Sequence, residues 1–464
     1  MSELPVIVGG GPAGMAAAIE LAASGLGCTL IEEAPRPGGV VYRGPLRDGV
    51  TPGYLGARYR RKMRALHAAF SLIGNRAKVR LNSRVIGAEA DRVYVLDEHE
   101  RITQVRYAQL LLSAGCHERS VPFPGWTLPG VMLLGGLQLQ LKSGVVRPRG
   151  RTVIVGSGPL LPLVACQLLR CGAHVAGVYE ASSFLKLARE ITALLNKPQL
   201  LLDGLSMLAY LKRHHVPVHY GWGIVTADGQ QELSAVTVAP YDDHWTPDLA
   251  RARRIPAETL AVGYGFIPRT QLTQQIDLEH EYDPDGFLKP KMNGWQQTSV
   301  PHIHVAGDIG GLRGGEAAVL TGRIAALSIL RQRGLITTEA ATAKRDRYRQ
   351  KLQALVRFRM GFDRAAARGC GQLQLPEADT VICRCENVKR RDIDQALAQG
   401  VHDLISLKMR TRISMGDCQG KMCVGYCSDR LRQHTGNADV GWMRPRFPID
   451  PVPFSAFRTE TELI

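Results

Sequence analysis

The stretch that most constrains the fold is the first: Pro5-Val6-Ile7-Val8-Gly9-Gly10-Gly11-Pro12-Ala13-Gly14, running on into Met15-Ala16-Ala17-Ala18. An apolar run of strand length, a glycine turn and an alanine-rich helix open a dinucleotide-binding βαβ unit, whose parallel sheet is buried on both faces. Gly9 permits the tight turn, Gly11 lets the backbone approach a pyrophosphate at the helix N-terminus, and Gly14 lets helix and strand pack closely. A second strand, Thr29-Leu30-Ile31, ends in Glu32, 18 residues after Gly14, where a carboxylate can accept ribose hydroxyls.

Two later segments decide which dinucleotide suits that unit. Leu110-Leu111-Leu112-Ser113-Ala114-Gly115 is an apolar strand ending in small residues, followed by Pro122-Phe123-Pro124-Gly125-Trp126. His302-Ile303-His304-Val305-Ala306-Gly307-Asp308 is another buried strand, leading to Gly310, Gly311, Gly314, Gly315 and an alanine-rich helix. An aspartate at that turn is placed to bind the ribitol chain of a flavin, with the next helix N-terminus facing the ring system. A domain that binds NAD alone needs neither segment, so FAD is the expected cofactor.

A second unit begins at Thr152-Val153-Ile154-Val155-Gly156-Ser157-Gly158-Pro159-Leu160-Leu161, with Val175-Ala176-Gly177-Val178-Tyr179-Glu180 as its second strand. Leu161 stands where the third glycine belongs, so helix and strand must pack differently there. Glu180 is placed for a ribose and would repel a 2′-phosphate. NAD(H), another adenine nucleotide such as ATP, and a purely structural site all remain open.

The cysteines are uneven. Cys28, Cys116, Cys166 and Cys171 are scattered, whereas six of the ten crowd into the last hundred residues. There Cys383-Arg384-Cys385 is followed, after 32 residues, by Cys418 and Cys423, with four residues between those two and Cys427 beyond. Thiolates without histidine at ligand spacing suit zinc or an iron–sulfur cluster. Structural zinc favours paired Cys-x-x-Cys knuckles, whereas this spacing resembles the [2Fe–2S] module of bacterioferritin-associated ferredoxin. The resemblance implies Cys383, Cys385, Cys418 and Cys423 as ligands of a [2Fe–2S] cluster, with Cys423 on the first turn of a helix and Cys370 and Cys427 as spare thiols; a zinc site is the alternative.

No apolar run approaches the ~20 residues that span a bilayer, and the chain enters its first strand within four residues, leaving no room for a signal peptide. The chain is expected to stay in the cytoplasm. The net charge of +16 suits an anionic membrane face or an acidic partner. Its densest run, 344–368, holds nine Lys/Arg against Asp346 and Asp363 and reads as a basic helix. No basic segment is interleaved with base-stacking aromatics, so nucleic acid is not expected. No serine, histidine or carboxylate constellation has nucleophile or acid–base spacing, and no catalytic residue is assigned.

The expected fold class is α/β. Over about residues 1–335 the layout resembles the two-dinucleotide-binding flavoproteins of the disulfide-reductase type, and 379–435 resembles the [2Fe–2S] module of bacterioferritin-associated ferredoxin. The boundaries follow: 1–145 with 256–340 for FAD, 146–255 as an inserted second Rossmann-like unit, 341–375 as a helical linker, 376–440 as the cluster domain and 441–464 as a tail. The reactive cysteine pair of the disulfide reductases is missing, because Gly38-Gly39 is followed by Val40-Val41-Tyr42-Arg43 and Cys166 and Cys171 do not face each other on a helix. Disulfide reduction is not expected.

The N-terminal glycine motif, the stretch Glu32-Glu33-Ala34-Pro35-Arg36-Pro37-Gly38-Gly39-Val40-Val41-Tyr42-Arg43-Gly44-Pro45-Leu46, the Phe123–Trp126 segment, the second glycine motif and the cysteine module together resemble one family along nearly the whole chain. It comprises the electron-carrying large subunits of bacterial opine oxidases, hydroxyproline dehydrogenases and hydrogen cyanide synthases. The resemblance implies FAD held by Gly9, Gly11, Pro12, Ala13, Gly14, Glu32, Gly39, Arg43, Ala114, Gly115, Gly307 and Asp308, and an adenine nucleotide against Gly156, Gly158 and Glu180. It further implies FMN at a subunit interface, an amino-acid-oxidase-like flavoprotein partner, a respiratory-chain acceptor and a small ferredoxin-like subunit, with peripheral membrane association open. Similarity of the 38–46 stretch to the cyanide-forming branch implies glycine as the substrate, oxidised to cyanide and carbon dioxide. A stand-alone NADH:acceptor reductase is the rival reading.

Overall fold

The computed structural model describes residues 3–283 and 285–457. Its first half is two parallel five-stranded sheets, each built around a glycine turn. In the first, the order is Ile303–Val305, Leu110–Leu112, Val6–Val8, Cys28–Ile31 and Ala77–Arg80. In the second it is Val218–Tyr220, His174–Glu180, Arg151–Gly156, Thr259–Gly263 and Val131–Leu133. In the first, the chain winds outward from the central strand Val6–Val8 in one direction and then the other; in the second it enters at the edge strand Val131–Leu133, crosses to the central Arg151–Gly156, winds out to Val218–Tyr220 and returns to Thr259–Gly263 on the other side. That reversal leaves a crevice at the carboxyl ends of the strands, directly over the glycine turn.

The inner strands of the first sheet, such as Val6–Val8 and Leu110–Leu112, are buried on both faces, which is why they are runs of Val, Ile and Leu. The helix Pro12–Ala23 is alanine-rich because it meets the helix Gly315–Gln332 backbone to backbone: a Cβ on Gly322 would stand 2.1 Å from the Ala13 carbonyl oxygen.

The inserted unit is larger than its expected boundaries of 146–255. Val131–Leu133 precedes them and Thr259–Gly263 follows them, yet both pair into the second sheet. An apolar pentapeptide such as Thr259–Gly263 announces a buried strand without announcing which sheet needs it. The true passage between units is the antiparallel pair Cys116–Glu118 with Phe266–Pro268.

The basic helix runs Thr338–Ala365 and is more than a linker. Leu352 and Leu355 pack on Ala317 and Ile324 of the Gly315–Gln332 helix, which leaves the cations outward. The segment after it is fastened to the second unit, where Gly371 N–H donates to the His244 carbonyl. The cysteine domain follows as a hairpin, Val381–Cys383 with Val388–Lys389, and three helices, Arg390–Ala398, Leu404–Thr411 and Val424–Thr435, around Ile382, Ile393, Leu407, Ile413 and Leu431. Of the expected tail 441–464, residues up to 457 are described and 458–464 lie outside the described residues. The tail crosses back to the first unit, where Ile449 N–H donates to the Ile86 carbonyl and Phe447 meets Tyr94 edge-on.

The cysteine domain is bolted to the passage between the units. Arg119 pairs with Asp429 at 2.6 Å, with side chains only 7% and 16% exposed, and Arg368 reaches the same carboxylate at 3.0 Å. Trp126 Nε1 donates to the Val381 carbonyl at 2.6 Å, and the His117 ring lies 3.2 Å from the Lys421 carbonyl. Removing one member of a buried pair strands its partners, at a cost of about 3 kcal/mol or more. Asp429→Asn is therefore expected to lower the thermal unfolding midpoint and open residues 366–380 to limited proteolysis; unchanged proteolysis would show that this pair does not hold the domain.

Candidate cofactor sites

In the first unit the three glycines play different parts. Gly9 has φ +100°, and a Cβ there would stand 2.5 Å from the Ser113 carbonyl oxygen. On Gly14 it would stand 2.0 Å from the Gly9 carbonyl oxygen, whereas on Gly11 it would meet nothing nearer than Gly39 Cα at 3.8 Å. Gly9 and Gly14 are required by the fold; Gly11 faces open space, where a pyrophosphate would approach. Glu32, at the end of its strand, accepts the Gly10 N–H at 2.6 Å and the Ala34 N–H at 2.9 Å. Burial raises its pKa against those two hydrogen bonds. A carboxylate has about four acceptor positions, so capacity is left for a ribose diol.

The other expected residues converge on this crevice. The short turn Gly39–Tyr42 lies on the glycine loop, since a Cβ on Gly39 would stand 2.9 Å from Gly11 Cα. Arg43 follows, with its Nε buried and unpartnered among the described residues. Ala114 and Gly115 end the neighbouring strand, next to Ser113, whose hydroxyl donates to the Val8 and Gly9 carbonyls. A Cβ on Gly307 would stand 3.2 Å from the Ala13 Cβ, which puts it beside the first turn formed by Pro12 and Ala13. Asp308 accepts the N–H groups of Arg313 and Gly314 through Oδ1, and its Oδ2 lies 3.9 Å from Cys116 Sγ.

The second unit repeats the device with a difference. A Cβ on Gly156 would stand 2.0 Å from the Gly263 carbonyl oxygen, while Gly158, at φ +104°, has nothing within 4 Å. Glu180 accepts from Ser157 Oγ at 2.7 Å, Gly158 N–H at 2.8 Å and Ser182 N–H at 3.0 Å. The protein thus fills more of its acceptor positions than it fills on Glu32. Leu161 points into the core in place of the third glycine.

The four expected cluster ligands come together as two pairs. Cys383 lies beside Cys423 and Cys385 beside Cys418. The neighbouring Cys423 thiol brings the Cys383 thiol down to about 6. Four cysteine thiols in two neighbouring pairs, with no histidine among them, are a donor set that fits the two irons of a [2Fe–2S] cluster. Cys423 is the N-cap of the helix Val424–Thr435, just ahead of the first turn rather than on it. The loop before it turns through Arg412, Ser414, Gln419 and Gly420, all with φ between +48° and +86°. Cys427 lies in the domain core and Cys370 is exposed. Cys28, Cys116, Cys166 and Cys171 form no disulfide.

Three residues near these sites carried no signal in the sequence. His117 touches the Lys421 carbonyl, inside the loop between Cys418 and Cys423. Glu118 accepts the N–H groups of Gly135 and Gly136, and burial raises its pKa to about 7. Lys142 is buried beneath the Gly39–Tyr42 turn, with Nζ on the Val40 and Val41 carbonyls and the Tyr59 hydroxyl. His117 and Glu118 stand in the polar run Cys116-His117-Glu118-Arg119-Ser120, which reads as exposed, and a lone Lys142 reads as solvated.

Residues 5–325 match the pyridine nucleotide-disulphide oxidoreductase family, and 381–433 match the BFD-like [2Fe–2S] binding domain. Hydrogen cyanide synthase subunit HcnB of Pseudomonas protegens is 66% identical over 98% of both chains. An opine oxidase subunit of Agrobacterium tumefaciens is 32% identical over 96% of this chain and 90% of its own. In fold, L-proline dehydrogenase of P. horikoshii superposes with a TM-score of 0.70 at 19% identity, covering 99% of this chain and 80% of that one. Fold and sites define an oxidoreductase subunit with two dinucleotide-binding units and a [2Fe–2S] binding domain. Within that class, the chain belongs to the family of hydrogen cyanide synthase subunit HcnB.

Two tests follow from this geometry. Gly11→Val is expected to fold and lose bound dinucleotide, whereas Gly14→Val should fail to fold; flavin retained in a folded Gly11→Val protein would misplace the site. Lys142 is shifted down to about 7, chiefly by burial and then by Arg43. In the unfolded chain a lysine titrates near ~10.4, so between those values the native state binds fewer protons and stability rises with pH. The destabilisation is full below about 7 and fades toward the unfolded value. Lys142→Met should flatten that slope in unfolding midpoints measured across the range.

Proposed function

We propose that this chain is the electron-carrying subunit of a glycine-oxidising, cyanide-forming dehydrogenase, receiving electrons from a partner flavoprotein and handing them toward a respiratory acceptor. The observation that carries the reading is the 66% identity to hydrogen cyanide synthase subunit HcnB over 98% of both chains. FAD would lie over Gly11 with its ribose on Glu32 and its ribitol near Asp308, and a [2Fe–2S] cluster would be held by Cys383, Cys385, Cys418 and Cys423. When bound, the flavin would supply two-electron exchange and the cluster one-electron exchange.

The residues of the chain do the positioning. Glu32 and Asp308 orient the two ends of the dinucleotide, and Arg43 offers an unpartnered N–H on the side of the Gly39–Tyr42 turn. His117 and Arg119, neighbours on the chain, fix the ligand loop and the last helix of the cysteine domain against the first unit. An adenine nucleotide in the second unit would enter over Gly158, and the three hydrogen bonds that Glu180 accepts from Ser157, Gly158 and Ser182, against two on Glu32, make that the weaker ribose site. This disfavours the stand-alone NADH reductase. FMN at an interface, and partners resembling an amino-acid oxidase and a small ferredoxin, complete the proposed assembly.

Cys418→Ser tests the conduit. In the assembled complex it should leave reduction of the partner's flavin by glycine intact and slow transfer to the acceptor, because a cluster missing a thiolate is lost or shifted in potential. Cys427→Ser, outside both pairs, should change neither rate. Full steady-state turnover by Cys418→Ser, measured beside single-turnover flavin reduction, would take the cluster off the electron path.

A further inference from the structure

Lys142 is the only lysine buried among the described residues, at 2% exposure. It lies in Gln140–Gly144, which continues the helix Leu134–Leu139, and Leu137 and Leu141 share a core with Leu161 and Val164 of the second unit. The lysine side chain leaves that core and ends beneath a turn of the first unit. Its Nζ donates to the Val40 and Val41 carbonyls and lies 3.2 Å from the Tyr59 hydroxyl. The backbone follows the same course: Leu46 N–H donates to the Ser143 carbonyl, and the Tyr54 hydroxyl donates to the Lys142 carbonyl.

No carboxylate pairs with this ammonium among the described residues. The titratable groups around it and the turn are Arg43, Tyr42, Tyr54, Tyr59, His67 and Glu316, and the Glu316 carboxylate is held by Lys62 and Arg58. Burying a cation without a counter-ion is costly, and a neutral side chain could prop a turn more cheaply. What a cation adds is its field. The turn above it is one layer of backbone: a Cβ on Gly39 would stand 2.9 Å from Gly11 Cα, and a Cβ on Gly315 would stand 3.0 Å from Val41 Cγ1. The turn thus runs from the open glycine to the N-terminus of the Gly315–Gln332 helix, the two features between which FAD would lie. Charge buried behind so thin a wall is weakly screened. Reduction makes a flavin more negative, and a fixed cation nearby favours that form.

We propose that Lys142 sets the reduction potential of the flavin in the first unit, its ammonium behind the Gly39–Tyr42 turn raising the midpoint by favouring the reduced cofactor. This rests on the FAD reading of the crevice. The tuning residue is supplied by the second unit, so the seating of one unit on the other governs the redox poise of the first. Burial and then Arg43 bring Lys142 down to about 7, so the effect is full below that value and is lost as pH rises above it.

The test is an anaerobic potentiometric titration of the purified full chain with FAD, following flavin absorbance and the cluster's electron paramagnetic resonance together. Wild type is compared with Lys142→Met and with Lys142→Gln, which keeps a hydrogen-bond donor and removes the charge. Below about pH 7 both variants should lower the flavin midpoint by about 30 mV or more, a tenfold change in the reduced-to-oxidised ratio of a two-electron couple. The difference should shrink as pH rises, and the cluster midpoint should stay in place. In the wild type alone, the flavin midpoint should fall with pH more steeply than that of free FAD just above about 7. Equal slopes would overturn the proposal even if neither variant folded. It is also overturned if Lys142→Gln keeps the wild-type midpoint, if flavin and cluster midpoints move together, or if both variants fold without binding FAD, which would make the lysine a prop. A wild-type chain that binds no FAD would sink the cofactor assignment as well, whereas FAD bound at an unshifted potential in both variants sinks this proposal alone.

Discussion

The arrangement depends on one buried carboxylate. Asp429 sits on the last helix of the cysteine domain and receives Arg119 from the passage between the nucleotide units, Arg368 from the segment after the basic helix and Arg432 from its own helix. Burial pushes its pKa up while Arg368 and Arg432 pull it down. A buried pair of this kind adds little net stability against desolvation, and breaking it is expensive. Its consequence is positional: three separate parts of the chain meet at one point, and the ligand loop is held against the strand that carries Cys116 and His117.

That position gives the fold its functional sense. Cys116 lies near Asp308, at the expected ribitol end of the flavin crevice, and the next residue, His117, touches the Lys421 carbonyl within the cluster-ligand loop. A short run of backbone therefore links the two sites. The second nucleotide unit joins the same passage from the other side, but its carboxylate is already satisfied by Ser157, Gly158 and Ser182. Two copies of one architecture have diverged: one keeps free acceptor capacity and an open glycine, and the other spends the capacity on its own loop.

Much of this was legible in the amino-acid order because local chemistry repeats over short spans. The glycine turns, the terminal acids Glu32 and Glu180 and the cysteine spacings each need only a few consecutive residues, and the structure places them in two crevices and two thiol pairs. What could not be read depends on contacts between distant segments. The strands Val131–Leu133 and Thr259–Gly263 look like ordinary apolar strands until the second sheet claims them. Lys142, His117 and Glu118 gain their character from burial that no neighbouring residue signals. The basic run 344–368 was visible as charge, but its packing on one helix was not.

One chain carries both a dinucleotide crevice and the four cysteines of a [2Fe–2S] binding domain. The most direct measurement is iron, zinc and acid-labile sulfide analysis of the anaerobically purified protein, with electron paramagnetic resonance after reduction. Iron and sulfide in equal amounts and the signal of a single reduced [2Fe–2S] centre are expected. Stoichiometric zinc without iron or labile sulfide would contradict it.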